Sequence, residues 1–98
     1  MDNCLISLPN EFQTLATRKT GNSARQKLLE HLSHSNKVTL DFGDSTISPS
    51  FADELIGILA KDMGFDNFKQ QVRMINVSAS SQAIIKHVLT QRLYSHVA

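Results

Sequence analysis

The chain has 98 residues, the length of one small domain whose folding buries roughly 60 to 70% of its surface. A hydrophobic share of 41% with 19% charged residues excludes an intrinsically disordered chain, and a net charge of +1 gives no global pull toward DNA or anionic lipid. No apolar run approaches the roughly 20 residues of a membrane helix, and no signal peptide is expected from a start that carries Asp2 and lacks a basic region.

Residues 4–8 (CLISL) are short and apolar and predict a first strand. Pro9-Asn10 signals a turn, and residues 12–17 (FQTLAT) are expected to return as a hairpin strand. Gly21-Asn22-Ser23 breaks the pattern and offers an N-cap at Asn22 or Ser23. Ala24, Leu28 and Leu32, with Leu29 beside them, then mark one face of a helix that stops within Ser33-His34-Ser35-Asn36. Val38, Leu40 and Phe42 alternate with Thr39 and Asp41, the period of a half-buried strand. A loop at residues 43–46 follows, and Ile47 is expected to dip back into the core.

The clearest helix start follows. Ser48 or Ser50 can cap, Pro49 suits the first turn, and Asp53 stands three residues after Ser50, a spacing close to a capping box. Phe51, Leu55, Leu59 and Met63 recur every fourth residue, Ile56 and Ile58 widen the stripe, and Gly64 ends it. Residues 72–77 (VRMINV) predict another strand. Ser78, Ser80 or Ser81 can cap a last helix with a stripe of Ile84, Ile85, Val88, Leu89 and Leu93. Alternating strands and helices imply an α/β layer architecture with parallel pairing, in a single domain over residues 1–98.

Charge is uneven along the chain. Residues 67–98 hold Lys69, Arg73, Lys86 and Arg92 and no acid, whereas residues 30–66 carry all but two of the acids. Such asymmetry marks either solvated helix faces or a surface with an electrostatic preference. Nucleic-acid binding through Lys86 and Arg92 is disfavoured by the near-neutral net charge, and the absence of Trp with a single Tyr disfavours a stacking platform. One cysteine, Cys4, excludes an internal disulfide, fits a reducing cytoplasmic setting, and is expected to be a buried, inert thiol.

No catalytic motif of the GxSxG, P-loop or HExxH type is present, so no enzyme activity, cofactor or metal is expected. His31 and His34 give only two ligands of a zinc site, and Asp41, Asp44 and Asp53 would need to converge to hold Mg²⁺. Arg18 and Arg25 flank Gly21-Asn22 ahead of the expected helix start, a pattern that would suit an anion or a nucleotide phosphate. The alternative is a capped helix start with surface arginines. Ser48 and Ser50 are cap candidates and also phosphorylation candidates, because negative charge is tolerated at a helix N-terminus.

The run TRKTGNSARQKL at residues 17–28 and the run VTLDFGDSTISPSFADELIGIL at residues 38–59 resemble the STAS-like domains of unknown function. The resemblance extends over about residues 4–94 and rests on Arg18, Gly21, Arg25, Leu28, Asp41-Phe42, Ser50-Phe51-Ala52 and Glu54-Leu55. It implies a small STAS-like sandwich, a mixed β-sheet of about four strands with about three helices packed on it, related to anti-sigma-factor antagonists. It also implies a regulatory, protein-binding role with a histidine-kinase-like ATPase as partner and a serine phosphorylated at the start of the helix after a central strand. Ser50 falls at that position. The preceding residues depart from the D-S-S/T-G pattern, with Ser48 and Pro49 ahead of Ser50 and Phe51 in place of Gly. The docking surface implied by the resemblance comprises Asp44, Ser48, Ser50, Phe51 and Glu54. An exposed strand edge would also let a second copy pair.

Overall fold

The computed structural model describes residues 3–94. Among these, strands and helices alternate: β1 (Asn3–Ser7), α1 (Leu8–Glu11), α2 (Arg18–Leu32), β2 (Lys37–Asp41), α3 (Pro49–Ala52), a π-helical segment (Asp53–Gly57), α4 (Ile58–Met63), α5 (Phe65–Gln71), β3 (Val72–Ile75) and α6 (Ala79–Tyr94). The sheet has three strands in the order β1-β2-β3, all parallel. Cys4 lies opposite Val38 and Val38 opposite Val72, and two residues along Ile6, Leu40 and Met74 form the matching row.

The alternation in β2 assigns the two faces. Val38 and Leu40 are buried, as is Phe42 just beyond the strand, and the helices pack on that side. The other face carries Leu5, Thr39 and Arg73 in one row, and Leu5 is 60% exposed. The architecture is therefore two layers, with helices on one side of the sheet. Phe42, Phe51, Phe68, Leu28, Leu55 and Ile56 fill the space between the layers. No described helix is long and apolar enough to cross a membrane.

Five expectations need correction. The sheet has three strands and is wholly parallel, where about four mixed strands were expected. Residues 12–17 form no strand; Leu15 is buried, and its carbonyl accepts a hydrogen bond from the Ser48 amide. Strand β1 pairs with β2 through a crossover instead of a hairpin. The second helix begins at Arg18, capped by the Thr17 hydroxyl, which accepts from the Thr20 amide, so Asn22 and Ser23 lie inside it. The helices also exceed the three or so expected: α1, which takes Leu8 from the expected first strand, and α5, which Phe68 anchors in the core, were not anticipated.

The expected strand starting at Cys4, the strand through Val38 and Leu40, the strand starting at Val72 and the helix ending at Gly64 are present. Gly64 takes φ +87°, the conformation that favours glycine at a helix end. Ile47 is buried, as expected. The last helix is capped by Ser78, whose hydroxyl accepts from the Ser81 amide. Ser81 itself is fully buried, donating to the Ser45 carbonyl and accepting from the Ile47 amide.

Candidate functional site

Ser48 is the cap of α3: its hydroxyl accepts from the Phe51 amide at 3.0 Å, and Pro49 occupies the first turn. With Ser48 used in this way, Ser50 is left half-exposed, and its hydroxyl makes no hydrogen bond to any described residue. The helix then widens. The Ile58 amide donates to the carbonyl of Asp53, five residues back, which defines a π turn.

That turn presents two carboxylates to three arginines. Asp53 receives Arg92 in a two-point grip, Nε at 2.7 Å from Oδ1 and Nη2 at 2.8 Å from Oδ2, with Arg18 Nη1 at 3.0 Å from Oδ2. Glu54 takes Arg18 Nη1 at 2.9 Å on Oε2 and Arg25 Nη1 at 3.1 Å on Oε1. Arg25 also donates to the Glu54 carbonyl at 2.7 Å. Arg92 is the main influence holding the Asp53 carboxyl below its ordinary range, ahead of the opposing effect of burial and the help of Arg18. Glu54 is lowered mainly by Arg18. The same pairs raise Arg18, through Glu54 first, and Arg92, through Asp53.

Two glycines let the elements approach. A Cβ on Gly21 would stand 2.8 Å from the Phe51 carbonyl oxygen and 2.8 Å from Glu54 Cβ. A Cβ on Gly57 would meet Val88 Cγ1 at 2.6 Å and Asp53 Oδ1 at 2.7 Å. Helices α2 and α6 therefore clamp the π turn from two sides.

Outside this clamp a cleft of about 390 Å³ opens, lined in part by Arg18, Ser50, Asp53, Lys61, His87 and Arg92. Arg18, Lys61 and Arg92 bring positive charge to it and Asp53 negative charge, and the Ser50 hydroxyl borders it. A cleft with these cations can hold an anionic group.

The residues singled out in the sequence have divergent fates. Ser48 and Ser50 lie together, one as the cap and one at the cleft. Phe51 is fully buried, so it supports the surface from below and cannot dock a partner. Glu54 is partly buried and taken up by arginines. Asp44 is exposed on the loop beyond β2 with φ +60°, and its amide bonds the Asn76 carbonyl.

Arg18, Gly21, Asn22 and Arg25 do not form an open anion cradle. The guanidinium groups are held by Asp53 and Glu54, while Gly21 and Asn22 lie within α2 and not before its start. Among the described residues no group of three or more His, Cys, Asp or Glu gathers to hold a metal ion. Asp41 instead accepts from the Gly43 amide and Asn76 Nδ2. Cys4 is only partly buried, its Sγ 2.9 Å from Ser35 Oγ.

The sequence alone does not single out Lys61, and it ties neither His87 nor Arg92, weighed there only for nucleic acid, to Ser50. His87 and Arg92 come from α6, far along the chain from Ser50, while Lys61 stands 11 residues after it on the same helical stretch, a spacing of about three turns.

The chain belongs to the family of STAS-like domains of unknown function (DUF4325), whose sequence model matches residues 21–82. That stretch takes in Gly21, Arg25, Ser50, Asp53 and Glu54, while Arg18 and Arg92 flank it. No curated protein and no solved structure matches the chain.

Proposed function

We propose that this domain is a non-catalytic regulatory module that docks on a protein partner through the cleft around Ser50. The partner class implied by the resemblance is a histidine-kinase-like ATPase, Ser50 is the switch, and an ATP-dependent switch places the protein in the cytoplasm. The observation that carries this reading is the free, half-exposed Ser50 hydroxyl in a cleft shared with Arg18, Lys61, His87 and Arg92.

A phosphoryl group on Ser50 adds about −1.5 to −2 charges at neutral pH and three acceptor oxygens. It enters a site where Arg18 and Arg92 are already positioned for charge-assisted bonds, and it competes there with Asp53 for both. A surface that presents cations to the partner becomes one that presents a dianion, and docking weakens by repulsion and bulk. Asp44 and Ser48 flank the docking surface, whereas Phe51 acts only from the core.

The test is capture from native-host lysate with the purified chain as bait, with and without ATP, read by mass spectrometry. An ATPase enriched without ATP, depleted with ATP, and one phosphate on the peptide containing Ser50 are the expected results. Equal capture of that ATPase by the native chain and by Ser50→Asp, or phosphate confined to other residues, would overturn the reading.

A further inference from the structure

A second concavity lies along a different face of α6. It is an open groove of about 670 Å³ between α6 on one side and α5 with the end of β3 on the other. Its apolar lining includes Phe65, Met74, Ile85, Leu89 and Tyr94, with Lys86 at the rim. Phe65 is 37% exposed and Tyr94 67%, and they are two of the four large apolar side chains exposed among the described residues. Half-exposed aromatics beside a groove are the usual anchors of protein recognition.

The shape points to a segment of another protein. The lining follows α6 from Gln82 to Leu93, a length of about 17 Å at 1.5 Å per residue. Leu89 and Leu93, both partly exposed, stand four apart on it above the buried Ile85, a ridge that the side chains of a second helix can straddle. A small ligand is normally enclosed over most of its surface, which an open trough cannot do.

The charges select the partner. Lys86 makes no ion pair with any described residue, and Lys69 Nζ lies 5.2 Å from the centre of the Phe65 ring, also without an acidic partner. Residues 67–94 contain no acid, and the nearest in sequence is Asp66 in the first turn of α5. A second copy meeting this face would set its own acid-free α6 against the first, Lys86 facing cations. A segment with acidic flanks meets no such repulsion.

We propose that the groove receives an amphipathic helix of a partner protein, with apolar side chains at helical spacing and acidic residues along their edge. This site is separate from the Ser50 cleft, so it does not depend on phosphorylation.

The experiment is selection of a phage-displayed library of random 16-residue peptides against the intact chain, followed by anisotropy titration of the enriched peptides. The enriched sequences are expected to be net negative, with apolar residues at i, i+3 or i+4, and i+7. Leu89→Asp should weaken their binding about tenfold or more, as loss of a central anchor does. Lys86→Glu, at an exposed position where folding is not at risk, should weaken it several-fold, and added salt should do the same. Ser50→Ala should leave it unchanged, which separates this proposal from the previous one. No enrichment, enrichment of basic peptides, or equal binding to Lys86→Glu would each overturn it. So would a dimer in sedimentation that Leu89→Asp disperses, or binding to phosphatidylglycerol vesicles in place of peptide.

Discussion

Helix α6 has two working faces built on opposite terms. Toward the π turn, Val88 is buried against Gly57 and Arg92 grips Asp53, so apolar contact and charge are both satisfied within the molecule. Toward the groove, Leu89 and Leu93 are only partly buried, Ile85 beneath them reaches the core at 6% exposure, and Lys86 pairs with no carboxylate among the described residues. The first face fixes where the helix lies. The second is tied to the core at its base by Ile85 but leaves its outer rim, Lys86 and Leu93, without partners among the described residues, and that rim is available to recognise something else. An apolar helix surface can thus be structural and available within a single helix, and partnering distinguishes the two better than hydrophobicity does.

The largest expected effect lies beneath the clamp. Phe51→Ala should cost about 4 kcal/mol, a large fraction of the roughly 5 to 15 kcal/mol that holds a domain together, read as a drop in the urea midpoint. Gly21→Val comes next, at about 2 to 3 kcal/mol, because the backbone of Phe51 cannot move aside as a flexible side chain could. Asp53→Asn weakens the pairing with Arg92 and Arg18 and should cost about 2 kcal/mol.

Acid should attack the same face. The Asp53 and Glu54 carboxyls titrate below their ordinary 3.8 and 4.5 when folded. Their stabilisation is therefore complete above those ordinary values and is lost as pH falls through the lowered folded ones. Denaturant titrations between pH 6 and about 2 should show the native chain losing stability more steeply below 4.5 than Asp53→Asn/Glu54→Gln. Asp41, lowered mainly by Asn76, leaves a residual slope in that variant.

The smallest effect sharpens the contrast. Lys86→Glu in the groove should shift stability by less than about 0.5 kcal/mol. A loss equal to that of Asp53→Asn would mean that the groove face is structural too, and the comparison would fail.

Much of the layer order was legible because the periods are clear: two in VTLDF and near four along Leu55 and Leu59. What escaped was decided by tertiary contact. Gly21 reads as a break, since glycine costs a helix interior about 1 kcal/mol relative to alanine. Here the helix runs through it because only a residue without Cβ lets α2 reach the Phe51 carbonyl. Residues 12–17 have strand-like composition, but the backbone there serves Ser48 through Leu15 and leaves no partner strand. Helix α5 is too short for its Phe65–Phe68 spacing to stand out. At the candidate site, Ser48 and Ser50 could be read from local cap chemistry. Their different uses, and the pairing of Arg18, Arg25 and Arg92 with Asp53 and Glu54, join positions far apart in the chain.

The π turn also explains how a strict four-residue stripe can serve one core. Each step of four overshoots an α-helical turn by about 40°, so Phe51, Leu55, Leu59 and Met63 would drift about 120° around a regular helix. One additional residue in a single turn takes back about 100° of that drift. Phe51 and Leu59 consequently both reach the interior, at 0% and 2% exposure. The segment acts as a phase corrector. Straightening the turn into a regular helix with no residue removed would swing everything from Ile58 to Met63 through about 100° and carry Leu59 out of the core, whereas deleting one residue between Asp53 and Gly57 removes the surplus and leaves Phe51 and Leu59 in phase. The turn is thus the one place in this stretch where the chain can lose a residue without shifting the faces on either side of it.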